Sequence, residues 1–135
     1  MIIRARPKYI NNVNNITDDF NVRVNEFYFN SGRAALKFYL QYLSKKNNKI
    51  LSVGMQSFNC NVIADATLEA DCQIYLLDIK LSDFSVSVES VEKIASKIDV
   101  LLLTHYQGIP NIDYFLIIEL CRLKKILVIE DMAKT

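Results

Sequence analysis

A chain of 135 residues has the length of one domain, and a hydrophobic content of 51% is enough to bury a core. Its 16 basic and 15 acidic side chains leave a formal net charge of +1, which excludes a broad field attracting nucleic acid or an anionic membrane. No apolar run approaches the roughly 20 residues that span a bilayer. Three cysteines without a CxxC pair favour a reduced, cytoplasmic protein with neither disulfides nor a metal site.

The first segment, residues 1–27, is rich in asparagine and has no sustained hydrophobic period. We interpret it as an extended N-terminal arm. The remaining residues, 28–135, have the pattern of a single α/β unit, whose signals begin at Asn30.

Helices and strands then alternate along the chain. Ser31 is a plausible N-cap for a helix, because apolar residues follow it at the spacing of one helix face. The later segments predict strands at 49–53, 73–79, 99–104 and 125–129. Helical patterns lie between them, at about 58–70, 88–98 and 113–124.

Regular alternation of this kind predicts parallel strands joined by right-handed helical crossovers. The expected fold class is therefore α/β, a three-layer α/β/α sandwich with a mainly parallel sheet. In such sheets ligands bind beyond the carboxyl ends of the strands, so the residues just after each strand are the candidates for a site.

Three groups lie either after a predicted strand or at the start of a predicted helix, and each has two interpretations. Ser31-Gly32-Arg33 opens a helix, where free N–H groups either need only a cap or hold a phosphate. His105 follows the third predicted strand and is either a structural histidine or a working one. Asp131 follows the fourth and either caps a helix or meets a cationic nitrogen of a ligand. Spacing alone does not decide between these alternatives.

The combination of segments is more specific. FNSGRAAL, SFNCNVIADA, a strand ending in Asp78, THYQGIPNID and LVIEDMAKT occur in that order. Together they resemble the first half of the large domain of the DegT/DnrJ/StrS aminotransferases, from about Phe27 to Thr135. The resemblance implies part of a fold-type-I pyridoxal-phosphate (PLP) transferase large domain. It also implies PLP as cofactor, a keto-sugar nucleotide and an amino donor, glutamate in our interpretation, as substrates, and a homodimer in the intact enzyme.

The resemblance also implies residue roles in cofactor binding. Gly32 and Arg33, with Ser31, would bind the cofactor phosphate, and Asp131 would pair with the protonated ring nitrogen. His105, in a His-x-x-Gly turn, would shape the loop beneath the ring.

Two positions depart from the family pattern. Cys60 stands where many members place an aromatic residue that stacks on the cofactor ring, so either Cys is a variant there or Phe58 and its neighbours supply the packing. Lys134 stands where a Gln or His usually contacts the phenolic oxygen of the cofactor, and a cation there could pair with a phenolate.

The lysine that binds the cofactor covalently in this family comes well after the Glu-Asp segment, whereas this sequence ends at Thr135. We therefore expect a fragment that is not catalytic alone, and whether this chain is an enzyme stays open. Two alternatives are a degenerate family member without catalysis and an α/β binding module, although no GxGxxG or P-loop motif supports the module.

Overall fold

A computed structural model describes residues 2–5 and 26–133. Most of the predicted N-terminal arm, and Lys134, lie outside those residues. The elements in chain order are β1 (Ile2–Ala5), β2 (Glu26–Phe29), α1 (Gly32–Asn47), β3 (Ser52–Gln56), α2 (Asn61–Leu68), β4 (Gln73–Leu77), α3 (Val88–Ile94), β5 (Val100–Thr104), α4 (Tyr114–Lys124) and β6 (Leu127–Asp131). Within the part of the chain described, no helix is long and apolar enough to cross a bilayer.

Four of the strands form one parallel sheet in the order β4-β3-β5-β6, and β1 pairs with β2 in a separate parallel ribbon. The predicted parallel sheet is thus confirmed. From β3 the chain moves outward to β4, crosses back over β3 to β5, and then continues to β6. The direction of winding therefore reverses between β3 and β5, which makes the carboxyl ends of these two strands a topological switch point.

Helices cover both faces of this sheet, as the continuous apolar strands predicted. On β5, Val100 and Leu102 belong to a core shared with Leu40 and Leu43 of α1. The alternate residue Leu101 belongs to the opposite core, which the side chains of α3 and α4 complete. The three-layer α/β/α architecture is confirmed.

The predicted strand at 49–53 is displaced from the observed one, Ser52–Gln56. Asn48 ends α1 in the left-handed conformation, and the N–H of Lys49 still donates to Ser44 O of that helix. The strand therefore starts later, where Ser52 pairs with Gln73. It also runs through Gly54, which a sequence reading takes as a breaker.

Other boundaries differ as well: β4 ends at Leu77 instead of residue 79, and α3 ends at Ile94 instead of residue 98. The last strand is Leu127–Asp131 instead of 125–129, because Lys125 closes α4 in the left-handed conformation with φ 59°. Asp131 is consequently the last residue of the strand, whereas the predicted strand ends two residues before it. Helix α2 begins at Asn61, three residues later than predicted, and leaves a loop beyond the end of β3.

Gly54 provides a test of the packing between the sheet and the segment from Ile94, the last residue of α3, to Ile98. A Cβ at this position would lie 2.9 Å from Cδ1 of Ile98. We expect Gly54→Ala to lower the free energy of unfolding by about 1–3 kcal/mol, because added volume in a packed core forces side chains out of their rotamers. Urea unfolding measures the change.

Two further variants give this test its controls. Gly32→Ala should be neutral or stabilising, because a Cβ there meets nothing within 4 Å and alanine favours the helix. Adding Ile98→Val, which removes the clashing methyl group, should recover part of the loss in Gly54→Ala. Strictly additive effects of the two substitutions would contradict the close approach.

A group of apolar side chains is exposed before and within the first turn of α4. Phe115 is 83% and Ile112 is 78% exposed, and Ile109 and Leu116 are also exposed. In addition, β4 and β6 are the outer strands of the four-stranded sheet described here. Exposed apolar patches and open strand edges both favour association.

We therefore expect the chain to associate as its concentration rises, with a weight-average mass above that of a monomer in light scattering. Phe115→Lys should lower this mass, because it places a charge in the exposed group. Ile50→Lys is the matched control, since Ile50 is also exposed but lies before β3, at the other end of the sheet. A parent chain that stays monomeric at all concentrations would show the expectation to be wrong.

Candidate functional site

Polar side chains from three neighbouring segments meet at the carboxyl ends of the strands. Asn59, in the loop after β3, donates from Nδ2 to Oγ1 of Thr104 at 2.9 Å. Thr104, the last residue of β5, donates from this hydroxyl to Oδ2 of Asp131 at 3.4 Å. Since Thr104 and Asp131 are also register partners, the parallel pairing of β5 with β6 sets the second contact. The chain of contacts crosses the switch point between β3 and β5.

The carboxylate of Asp131 receives one hydrogen bond on each oxygen. Thr104 donates to Oδ2, and the N–H of Ala133 donates to Oδ1 at 3.1 Å. The side chain is half-buried. Two residues earlier on β6, Ile129 packs on the core formed with α1, so strand alternation places Asp131 on the same face of the sheet. Each oxygen keeps a lone pair that a ligand could use.

His105 lies just beyond β5, and its side chain belongs to the other side of the sheet. Its Nε2 is 3.0 Å from Oε2 of Glu130, whose Oε1 accepts a hydrogen bond from the Tyr114 hydroxyl at 3.1 Å. Desolvation, and then the bond to Glu130, raise the pKa of Tyr114. Only the backbone of His105 touches Asp131, through an N–H donated to Asp131 O at 3.1 Å. His105 therefore supports the end of β6 and is not in side-chain contact with the Asp131 carboxylate.

Three aromatic rings gather beside these strand ends. Phe58, Phe84 and Tyr106 come from the loops after β3, β4 and β5, and their ring centroids are 5.3 to 5.7 Å apart. Phe84 has φ 55° and Gln107, next to Tyr106, has φ 51°. For a bulky residue this left-handed backbone costs about 1–2 kcal/mol. The family resemblance pointed to Phe58 but missed Phe84 and Tyr106, because their packing against it joins loops from three different strands.

At the other predicted binding segment, Ser31 caps α1 by accepting a hydrogen bond from the N–H of Ala34 at 3.1 Å. The N–H groups of Gly32 and Arg33 belong to the first turn and have no acceptor within the helix. Gly32 faces open space. Lys37, through a hydrogen bond and its charge, and to a smaller extent the charge of Arg33, lower the pKa of Glu69. No described contact joins Ser31, Gly32 or Arg33 to Asp131.

Cys60 is the exposed residue that precedes α2, and its N–H donates to Oδ1 of Asn59 at 2.8 Å. It therefore lies next to the series of hydrogen bonds that runs from Asn59 through Thr104 to Asp131. A separate depression of about 420 Å³ lies at the opposite, amino-end edge of the sheet. It is lined in part by Lys49, Asp99 and Lys125, and it holds none of the residues that the sequence singled out.

The fold agrees with that of several solved structures. Helicobacter pylori PseC, an aminotransferase involved in pseudoaminic acid biosynthesis, matches with a TM-score of 0.67 and 19% identity, over 76% of this chain and 28% of that one. The Escherichia coli GDP-4-keto-6-deoxy-D-mannose-3-dehydratase with bound hydrated PLP matches at 0.65 and 18%, over 75% and 27%. The PLP-bound C-S lyase from Staphylococcus hominis matches at 0.61 and 11%, over 78% and 31%.

These similarities confirm the predicted fold, that of part of a PLP-transferase large domain. The chain spans less than a third of the length of each of the three structures. No family model matches the sequence, and no curated protein matches it either. At identities below one fifth, the likeness is one of fold and does not by itself assign an activity.

The three cysteines provide a test of which thiols the fold buries and which it leaves exposed. Burial raises the pKa of Cys121 to about 11 and also raises the pKa of Cys72, whereas Cys60 is exposed. At pH 8 only about one Cys121 side chain in a thousand would be a thiolate. We expect iodoacetamide to modify only Cys60 in the folded chain, and all three thiols in urea. Peptide mapping identifies the sites. Rapid modification of Cys121 without urea would contradict the packing of α4.

Proposed function

We propose that this chain forms the cofactor-binding part of a PLP-dependent aminotransferase of the DegT/DnrJ/StrS family. The observation that carries the proposal is the carboxylate of Asp131. It sits at the carboxyl end of a parallel strand, is held by one donor on each oxygen, and keeps a lone pair for a ligand. An acceptor of this kind suits a protonated ring nitrogen.

The other residues fit the shape and charge of the same cofactor. Free N–H groups at the start of α1 suit a phosphate, and a Cβ added at Gly32 would meet no other atom within 4 Å. Phe58, which is half exposed within its aromatic cluster, offers an apolar surface to a planar ring. When bound, PLP would supply an electron sink that stabilises a carbanion.

The remaining predicted site residues take supporting roles in this proposal. His105 holds the end of β6 through Glu130 and through its own N–H, so that it shapes the site without moving a proton. Cys60 borders the ring position and leaves packing to Phe58. Lys134, which follows Asp131 closely in the sequence, would face the phenolic oxygen of the cofactor.

The substrate class rests on the sequence motifs together with the kind of enzyme found among the solved structures. PseC is described as an aminotransferase of pseudoaminic acid biosynthesis, and the Escherichia coli dehydratase is named for GDP-4-keto-6-deoxy-D-mannose, which is a keto-sugar nucleotide. The C-S lyase shares the fold as well, so the fold alone does not choose the substrate. We propose a keto-sugar nucleotide as amino acceptor, glutamate as amino donor, a homodimer as the working state of the whole enzyme, and the cytoplasm as its location.

The test is binding of pyridoxamine 5′-phosphate by equilibrium dialysis. This form of the cofactor has no aldehyde, so it cannot react with the lysines of the chain. The parent should bind it, and Asp131→Asn should weaken binding by about tenfold or more, the range for a lost hydrogen bond to a charged group. Asp78→Asn is the matched control, because it removes the same charge just after β4, where the side chain is exposed.

Two results would count against the proposal. If Asp131→Asn binds the ligand as tightly as the parent, Asp131 does not meet the ring nitrogen. If Asp78→Asn weakens binding as much as Asp131→Asn does, the effect is one of general charge and not of a defined site.

A further inference from the structure

The hydrogen bonds around Asn59 and Thr104 have a fixed direction. The N–H of Cys60 donates to Oδ1 of Asn59 at 2.8 Å, which orients the amide so that its Nδ2 faces Thr104. A threonine hydroxyl has one hydrogen to give. Because Oγ1 of Thr104 already accepts from Asn59, that hydrogen is directed to Asp131. If the amide were reversed, its oxygen would compete with Asp131 for the hydroxyl hydrogen.

Thr104 is the polar residue that ends an otherwise apolar face of β5. The residues that precede it on the same face of β5, Val100 and Leu102, are buried and apolar. A hydroxyl appears only where β5 ends, beside the switch point and opposite Asp131 in register. The Asn59 amide reaches it from the loop after β3, across that same switch point. Both residues thus act on the one carboxylate that the proposed function uses.

We propose that Asn59 and Thr104 are positioning residues that hold the Asp131 carboxylate in one orientation for the ring nitrogen of the cofactor. This inference rests on the proposed function. Thr104 donates a long hydrogen bond, 3.4 Å, to Oδ2, and the N–H of Ala133 donates to Oδ1 at 3.1 Å, so both oxygens have a partner that limits rotation of the side chain. The free lone pairs of the carboxylate then keep a constant direction. Neither positioning residue needs to touch the cofactor.

The first measurement uses the chain without ligand. Three-bond couplings to the Asp131 side-chain carbonyl carbon report its χ1 rotamer in solution. We expect one rotamer in the parent and in Thr104→Ser, which keeps the hydroxyl, and averaging in Thr104→Val, which removes it. Asn59→Ala should give partial averaging, because the hydroxyl hydrogen is then no longer directed. A single rotamer in Thr104→Val overturns the proposal whether or not the chain binds a cofactor.

The second measurement compares two ligands, pyridoxamine 5′-phosphate and an analogue with carbon in place of the ring nitrogen. The parent should prefer the natural ring by about tenfold. Thr104→Val should reduce that preference to about threefold or less, and Thr104→Ser should retain it. Thr67→Val is the matched control, since it removes a buried hydroxyl that donates to Ile63 O within α2. It should leave both the rotamer and the preference unchanged.

The two measurements separate the two hypotheses. If the parent and Asp131→Asn show equally little preference between the ligands, the proposed function fails, and only the restraint of Asp131 by Thr104 survives. If Asp131→Asn abolishes a preference that Thr104→Val leaves intact, the proposed function stands and the positioning role is wrong. Loss of the preference in Thr67→Val would likewise overturn it, because the effect would then be one of stability.

Discussion

The site depends on the parallel register of β5 with its neighbours. Thr104 aligns with Asp131 on β6, and β5 also pairs with β3, whose following loop carries Asn59. Side chains alternate between the two faces of a strand, so a shift of one residue in β6 would turn the Asp131 carboxylate away from Thr104. The apolar residues that precede the strand ends oppose such a shift, because it would move Val128 and Ile129 to the wrong cores. Packing of the sheet thereby fixes the position of the polar residues at its edge.

The two faces of the sheet divide the polar residues at that edge into two sets. Thr104 and Asp131 lie on the face of the sheet that α1 covers. On the face of α3 and α4, the side chains of His105, Glu130 and Tyr114 bond to one another. The second set ties β5, β6 and α4 together, and the N–H of His105 joins it to the Asp131 backbone. Adjacent residues in the sequence, Glu130 and Asp131, consequently have different physical roles.

The alternation of helices and strands predicted the fold class and the parallel sheet, because fully buried strands have apolar residues on both faces. Boundaries were less predictable. The strand β3 starts late and continues past Gly54, since its extent is decided by pairing with β4 and not by local residue preference. Position at a strand end singled out Asp131 and His105, and the family resemblance singled out Phe58. Neither could find Asn59 and Thr104 as a pair, because their contact joins residues 45 positions apart and arises only from strand order.

The loop that carries Phe84 shows how strain is compensated at this edge. The left-handed backbone of Phe84 is held by a short turn, in which its N–H donates to Lys80 O and Asp83 accepts from both the N–H and the hydroxyl of Ser85. The contacts of the Phe84 ring with Phe58 and Tyr106 add about 0.5–1.5 kcal/mol each beyond area burial. These terms together offset the backbone cost of about 1–2 kcal/mol. The loops after β3, β4 and β5 are therefore held to one another by contacts within the chain, so a ligand that bound at this edge would not have to order them.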